Sequence, residues 1–260
     1  MIMKHAIKSI LAGGTLLAAA STAQAELQVE ATAGYHSIYE FRGNDFGDDL
    51  FSGSIDVSYD LGQGYTLSGG IWYGDINDGT VGGGFGGFEE VDYYIGLSKS
   101  FGPVDLSIGY TYYAFPDSTG TDSQEWYVSA ATELAYGIGF SATFYDDFDQ
   151  SSQDTVEGEY LEFTFSKSFE LCACASLDLE AGIALSFNYQ NDVDGTGLDG
   201  YSHHYLSAAV PYALSDKFTV TPYIKYVGVS DNFANNANSS RPGGASEDLL
   251  LGGVSLSYSF

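Results

Sequence analysis

The sequence predicts an all-β fold, a transmembrane antiparallel β-barrel of about 12 strands, and three observations carry that expectation. Apolar and polar residues alternate with a period of two in segment after segment. The connections between segments alternate between short and long. The chain also holds 21 Tyr and 17 Phe among only 17% charged residues, with no stretch after Ala25 apolar enough for a membrane helix. A period of two places successive side chains on opposite faces of a strand, so one face of each segment is apolar and the other polar. Aromatics in this number suit a wall that displays them outward at two membrane interfaces. A soluble β-sandwich would have to hide them in a core, and its loops would have no reason to alternate in length.

The N-terminus reads as an export signal. Lys4 and Lys8 precede an apolar run from Ile7 to Ala20, and Ala23-Gln24-Ala25 forms an A-x-A cleavage site. The run from Ile10 to Ala20 is too short and too rich in Gly and Ala for a membrane anchor. Residues 1–25 are therefore expected to be a cleaved signal peptide and residues 26–260 the barrel. No cysteine stands at the cleavage point to take a lipid.

The outward registers then follow in order: Leu27 to Tyr35, Phe51 to Tyr59, Tyr65 to Tyr73, Val91 to Leu97, Val104 to Tyr112, Trp126 to Leu134, Ile138 to Phe144, Leu161 to Phe169, Leu177 to Tyr189, Leu206 to Tyr212, Phe218 to Tyr226 and Leu250 to Phe260. Short turns are expected near Asp60 to Gly64, Phe101 to Pro103, Ala135 to Gly137, Glu170 to Cys174 and Ser215 to Lys217. Longer acidic loops are expected near Glu40 to Leu50, Asp75 to Phe88, Pro116 to Ser123, Asp146 to Glu159, Asn191 to Tyr201 and Ser230 to Glu247. Turns on one side and loops on the other is the pattern of a bacterial outer-membrane barrel with both termini in the periplasm. Closure is required because an unpaired strand edge in hydrocarbon leaves backbone groups unsatisfied.

Charge bounds the partners. The formal net charge is −27, and removing residues 1–25 takes away two lysines and no acidic residue, which leaves −29. Nucleic acid is excluded as a partner, since no basic patch exists to displace phosphate counterions. Cations and small solutes are the natural partners of such a surface, with outer-membrane lipid and lipopolysaccharide around the wall. A homo-oligomer is compatible with the pattern.

Enzymatic chemistry finds little support. Ser202-His203-His204 is a run whose alternate side chains are expected on opposite faces, a strand-end His pair with no role or with a weak metal affinity. Val81 to Phe88 carries five glycines but no Lys-Ser/Thr follows them, so it is read as a loop and not as a phosphate cradle. Cys172 and Cys174 fall in an expected periplasmic turn, an oxidising setting, where they could bridge to pin the turn or serve as a redox or metal site. Asp192, Asp194 and Asp199, spaced by glycines, could wrap a hard cation such as calcium with oxygen ligands, or could simply be a solvated loop. No other cofactor is expected.

The stretch Ser37-Ile38-Tyr39-Glu40-Phe41-Arg42-Gly43, with Asp48-Asp49 and the strand Gly53 to Tyr59 after it, resembles the first hairpin of the TorF-type porin family. Gly69-Gly70-Ile71-Trp72-Tyr73 is similar to that family's next strand. The resemblance implies an outer-membrane barrel without catalytic residues. It singles out Arg42, which is expected to shape the first loop by pairing with a neighbouring carboxylate.

The inward register completes the reading. Glu30, Asp56, Asp92, Asp105, Glu125, Glu133, Glu162, Asp178 and Glu180 are expected to face the lumen, with Lys225 as the sole basic residue there. Twelve strands fall between barrels filled by side chains and those with a wide channel. The functional expectation is a narrow, cation-preferring diffusion pore. The alternative is a closed structural or adhesive barrel with ligand- or calcium-binding loops.

Overall fold

The computed structural model describes residues 27–79, 86–116, 122–148, 158–191, 197–231, 233 and 248–260. The expected signal peptide, Asp192 and Asp194 lie outside these residues. In chain order the strands are β1 (Leu27–Phe41), β2 (Asn44–Gly62), β3 (Tyr65–Gly79), β4 (Gly86–Phe101), β5 (Val104–Ala114), β6 (Ser123–Leu134), β7 (Ile138–Asp147), β8 (Gly158–Cys172), β9 (Ala175–Asn191), β10 (Gly197–Ala209), β11 (Tyr212–Ala213), β12 (Phe218–Val229) and β13 (Leu249–Ser259). All ladders are antiparallel, and β1 pairs with β13 as well as with β2, so the sheet closes on itself. The short β11 continues β10 beyond Pro211, whose ring lacks a donor for the ladder. Together they form one stave, and the barrel has 12.

The pleat explains the wall. Ile55, Ile95, Ile108, Ile224 and Leu250 are each more than half exposed on the outer face, while their strand neighbours Ser54, Tyr94, Ser107, Lys225 and Leu251 turn inward. Lys99 and Lys167 sit on the outer register at the short-turn end. Lys99 Nζ donates to the Gln63 carbonyl at 2.5 Å and lies 3.7 Å from the centre of the Tyr65 ring. Lys167 Nζ donates to the carbonyls of Tyr136 and Gly137. Each stem thus runs along the wall while its charge reaches the rim. The turns there are tight: Gln63 and Gly64 have φ of 55° and 79°, the left-handed pair that matches strand twist in a two-residue hairpin.

Two expectations need correction. Glu40 to Leu50 is not a long loop. The β1–β2 ladder continues through Glu40↔Asp45 and Phe41↔Asn44, and the turn is only Arg42-Gly43, with φ of 53° and 82°. Tyr189 is not outward either. A left-handed Asn188, φ 58°, interrupts the β8–β9 register and swings Tyr189 inward, where its ring packs 5.4 Å from that of Tyr160.

The core lies at the loop end of the barrel interior. Tyr39, Leu50, Ile76 and Phe88 form one cluster, Tyr127, Tyr145, Tyr160 and Ala184 a second, and Tyr205, Val227, Leu249 and Leu251 a third. Several rings lie flat over glycines of the adjacent strand. A side chain at Gly182 would meet the Tyr205 ring at 2.1 Å, so only glycine lets that ring lie on the wall.

Candidate functional site

The tip of the β1–β2 hairpin is folded into the lumen. Its two faces are buried against different walls: Tyr39 packs with Leu50, Ile76 and Phe88 of β2, β3 and β4, whereas Ile38 packs against the β10, β12 and β13 cluster. A surface ribbon buries one face. This one buries both, because it lies inside the barrel. Glu40, Arg42, Asn44 and Asp45 are all below a tenth exposed, although they would have been solvated in an outward loop.

Charge pairs pin the ribbon. Arg42 Nη1 and Nη2 each donate to one oxygen of Glu125 on β6 at 2.8 Å, a bidentate pair across the barrel. Glu125 also accepts the Tyr113 hydroxyl at 2.7 Å. The guanidinium carbon lies 4.2 to 4.8 Å from the ring centres of Phe41, Tyr145, Tyr160 and Tyr189, an aromatic cage that offsets part of its desolvation. The partner of Arg42 is thus not the neighbouring carboxylate expected from the sequence but one 83 residues away. Glu40, at the other side of the turn, accepts the Gly43 N–H at 2.7 Å and Lys225 Nζ at 2.5 Å. Lys225 also stands 4.4 Å from the centre of the Tyr205 ring.

His203 supports the turn from below. It is 1% exposed, and a side chain at Gly43 would meet its Nδ1 at 2.8 Å. The β9–β10 register slips between Tyr201 and His203, so Ser202 and His203 both turn inward while His204 faces out. The simple alternation expected for that run therefore fails at the bulge. Ser202 Oγ and His203 Nδ1 are 3.2 Å apart, sealed inside the barrel and away from the outer wall.

Of the residues expected to face the lumen, four gather in this loop-ward plug: Asp92, Glu125, Glu162 and Lys225. Glu162 there accepts the Thr164 hydroxyl at 3.2 Å. Nearer the short-turn end, Glu30 accepts Ser259 Oγ at 3.1 Å and Asp178 accepts Ser168 Oγ at 2.5 Å. Asp105 and Glu133 share this half, next to the turns that follow β4 and β6. Asp56 and Glu180 lie between, bonded to Tyr94 and Tyr205 respectively. Asp199 accepts the Asn188 N–H at 3.0 Å. Sequence reasoning missed Glu40, which lies where a loop was expected, and Glu90, which falls just before the expected start of a strand at Val91. Glu90 could have been found by extending the even-numbered register of Asp92 back by one step.

The short-turn rim carries Cys172 and Cys174, both free thiols. The Cys174 thiol and its backbone N–H, 3.4 Å from Cys172 Sγ, hydrogen-bond to Cys172 and hold its thiol below the usual range. Donating that bond pushes the Cys174 thiol up.

A family model described as a bacterial protein of unknown function (Gcw_chp) matches residues 20–168. The chain belongs to that family. The match includes the whole first hairpin, Arg42 and Glu125. No curated protein matches the chain in sequence. Solved structures share the fold, and three of them are outer-membrane channels or porins. An outer membrane channel from Pseudomonas putida F1 superimposes with a TM-score of 0.59 at 10% identity, over 92% of this chain and 97% of that one. The NanC porin gives 0.54 at 10% identity, over 88% and 98%. The KdgM porin gives 0.51 at 8% identity, over 90% and 99%. At these identities the likeness is one of fold, that of an outer-membrane barrel.

Proposed function

We propose that this protein is an outer-membrane diffusion channel of a Gram-negative bacterium, cation-preferring, whose loop-ward half is narrowed by its own first hairpin. The observation that carries the reading is the contrast between two halves of one closed barrel. The wall outside is apolar and aromatic throughout, as hydrocarbon requires. Inside, the short-turn half is lined by carboxylates, and the loop-ward half holds the charge-pinned ribbon. Carboxylates in a narrow lumen concentrate counterions and raise the barrier to anions. The resemblance of residues 33 to 75 to TorF-type porins, and the shared fold of the P. putida channel, support a channel. The expected export signal fits the same destination.

A second reading is favoured by the ribbon itself: a structural barrel in which the hairpin is a permanent stopper. Planar-bilayer recording separates the two. Small, discrete cation-selective steps from the refolded parent, enlarged when Arg42 is replaced by alanine, support the channel. Silence from both parent and variant supports the stopper and removes the channel reading.

A further inference from the structure

The β8–β9 turn carries chemistry that a channel does not use. Cys172 closes β8 and Cys174 stands just before Ala175 opens β9, so that the ladder ends at the pair Cys172↔Ala175. Both sulfurs are free thiols on the short-turn rim, Cys172 exposed and Cys174 half-buried. The turn is held from the side. Ala213 donates its N–H to the Cys174 carbonyl at 2.8 Å, Tyr212 pairs with Ala175, and the Tyr212 hydroxyl is hydrogen-bonded to the Cys174 thiol.

The two thiols are hydrogen-bonded to each other, and the Cys174 N–H donates to Cys172 Sγ at 3.4 Å. A backbone donor aimed at a sulfur favours its thiolate, the form that attacks a disulfide and the form that leaves one. The same arrangement makes a poor structural staple. A disulfide stabilises chiefly by restricting the unfolded chain, and that effect is smallest for the shortest loops. Cys172 and Cys174 would close a loop around Ala173 alone, between strands that their own ladder already joins. Exposed and strained bridges are also the readily reduced kind. What remains for the pair is reactivity.

We propose that Cys172 and Cys174 form a thiol–disulfide exchange site whose substrate is a protein disulfide on the side that the short turns face. Exposure sets the order of the steps. Cys172 is open to an incoming disulfide, whereas Cys174 is half-buried and held by Cys172 and Tyr212. The Cys172 thiolate attacks one sulfur of the substrate R–S–S–R′, forming a mixed disulfide with R–S and releasing R′–S⁻. The Cys174 thiol then gives up its proton and attacks Cys172 Sγ, which closes the bridge and releases R–S⁻. Two electrons pass from the pair to the substrate, and the two protons lost from the turn go to the released thiolates. Run backwards, the bridged turn oxidises a dithiol. The site stands whether or not the barrel conducts.

The test adds glutathione disulfide to the reduced, refolded barrel in detergent at neutral pH, followed by acid quench, alkylation and peptide mass mapping. The parent is expected to pass through a glutathione adduct on Cys172 and to end as the internal bridge with no glutathione attached. Cys174→Ser should hold the adduct on Cys172, and Cys172→Ser should react on the order of tenfold more slowly than the parent. Both substitutions lie on the rim, and circular dichroism checks that each variant keeps the strand content of the parent. An adduct that forms first on Cys174, or that never closes in the parent, would overturn the proposal. So would a parent that reacts no faster than its urea-unfolded chain.

Discussion

Arg42 and Glu125 form a two-pronged ion pair at 2.8 Å across the inside of the barrel, between a hairpin tip and a strand 83 residues further along. Both side chains are almost wholly buried, so removing one leaves the other's charge stranded. Arg42→Ala is expected to cost about 3 to 5 kcal/mol, the penalty typical of half of a buried pair. Arg42→Met/Glu125→Leu, which removes both charges, should recover much of that loss. Urea titration of refolded protein in detergent checks it, and a single variant as stable as the parent contradicts the geometry.

Gly182 lies beneath the Tyr205 ring, with no room for a side chain. Gly182→Val is expected to lift that ring off the wall, break its hydrogen bonds to Thr164 and Glu180, and destabilise by about 1 to 3 kcal/mol through overpacking. Gly62→Ala meets nothing within 4 Å and serves as the positional control, carrying only its backbone strain at φ 79°. Equal losses from the two would sink the packing argument.

Ile108 and Ile183 face outward at mid-strand, 53% and 42% exposed. Lysine at either site has no rim to reach, unlike Lys99 or Lys167. Each substitution should cost about 2 to 4 kcal/mol in a bilayer. Refolding yield into vesicles measures this, and Ile183→Lys refolding as well as the parent would reverse the register.

The thiol of Cys172 is held low by bonds from Cys174, and that of Cys174 is pushed up in return. At neutral pH Cys172 therefore carries more thiolate and should be alkylated first by limiting iodoacetamide. As pH rises above the ordinary thiol range the two rates should converge. Peptide mass mapping reads the ratio directly, and preferential labelling of Cys174 would contradict the turn geometry.

If the barrel conducts as proposed, the carboxylates of the short-turn half are expected to dominate selectivity. Asp105→Asn/Asp178→Asn should move the reversal potential in a dilute KCl gradient towards zero, and the parent's own preference should fade near 1 M salt, where the Debye length is about 3 Å. Lys225→Ala is a poor probe of selectivity alone. It strips Glu40 of its partner and is expected to unseat the hairpin, so its effect on step size should exceed its effect on ion preference.

The wall was legible in the sequence because a two-residue period is imposed on every stave by water on one face and lipid on the other. Residues expected to face outward stand side by side in pairs such as Ile55↔Ile71 and Leu97↔Ile108. The plug was not legible, for a local reason. Asn188 adopts a left-handed φ of 58° and resets the alternation in β9 without a glycine as a sign, and the β1–β2 register slips between Tyr39 and Glu40. Residues 39 to 45, with three charged residues around Gly43, look like a solvated loop. Only the complementary residues on distant strands, Glu125, Lys225 and His203, reveal that they are an interior.

The pairing of β1 with β13 has a temporal meaning as well. The stave that begins the barrel waits for the stave that ends it, and the ribbon carried by β1 finds Lys225 only 185 residues later. Contacts so distant along the chain form late. The hairpin is therefore expected to dock after the cylinder is nearly complete, so that damage to it should hasten unfolding far more than it slows assembly. A defective stopper would then escape notice during biogenesis and show itself only in the lifetime of the finished protein.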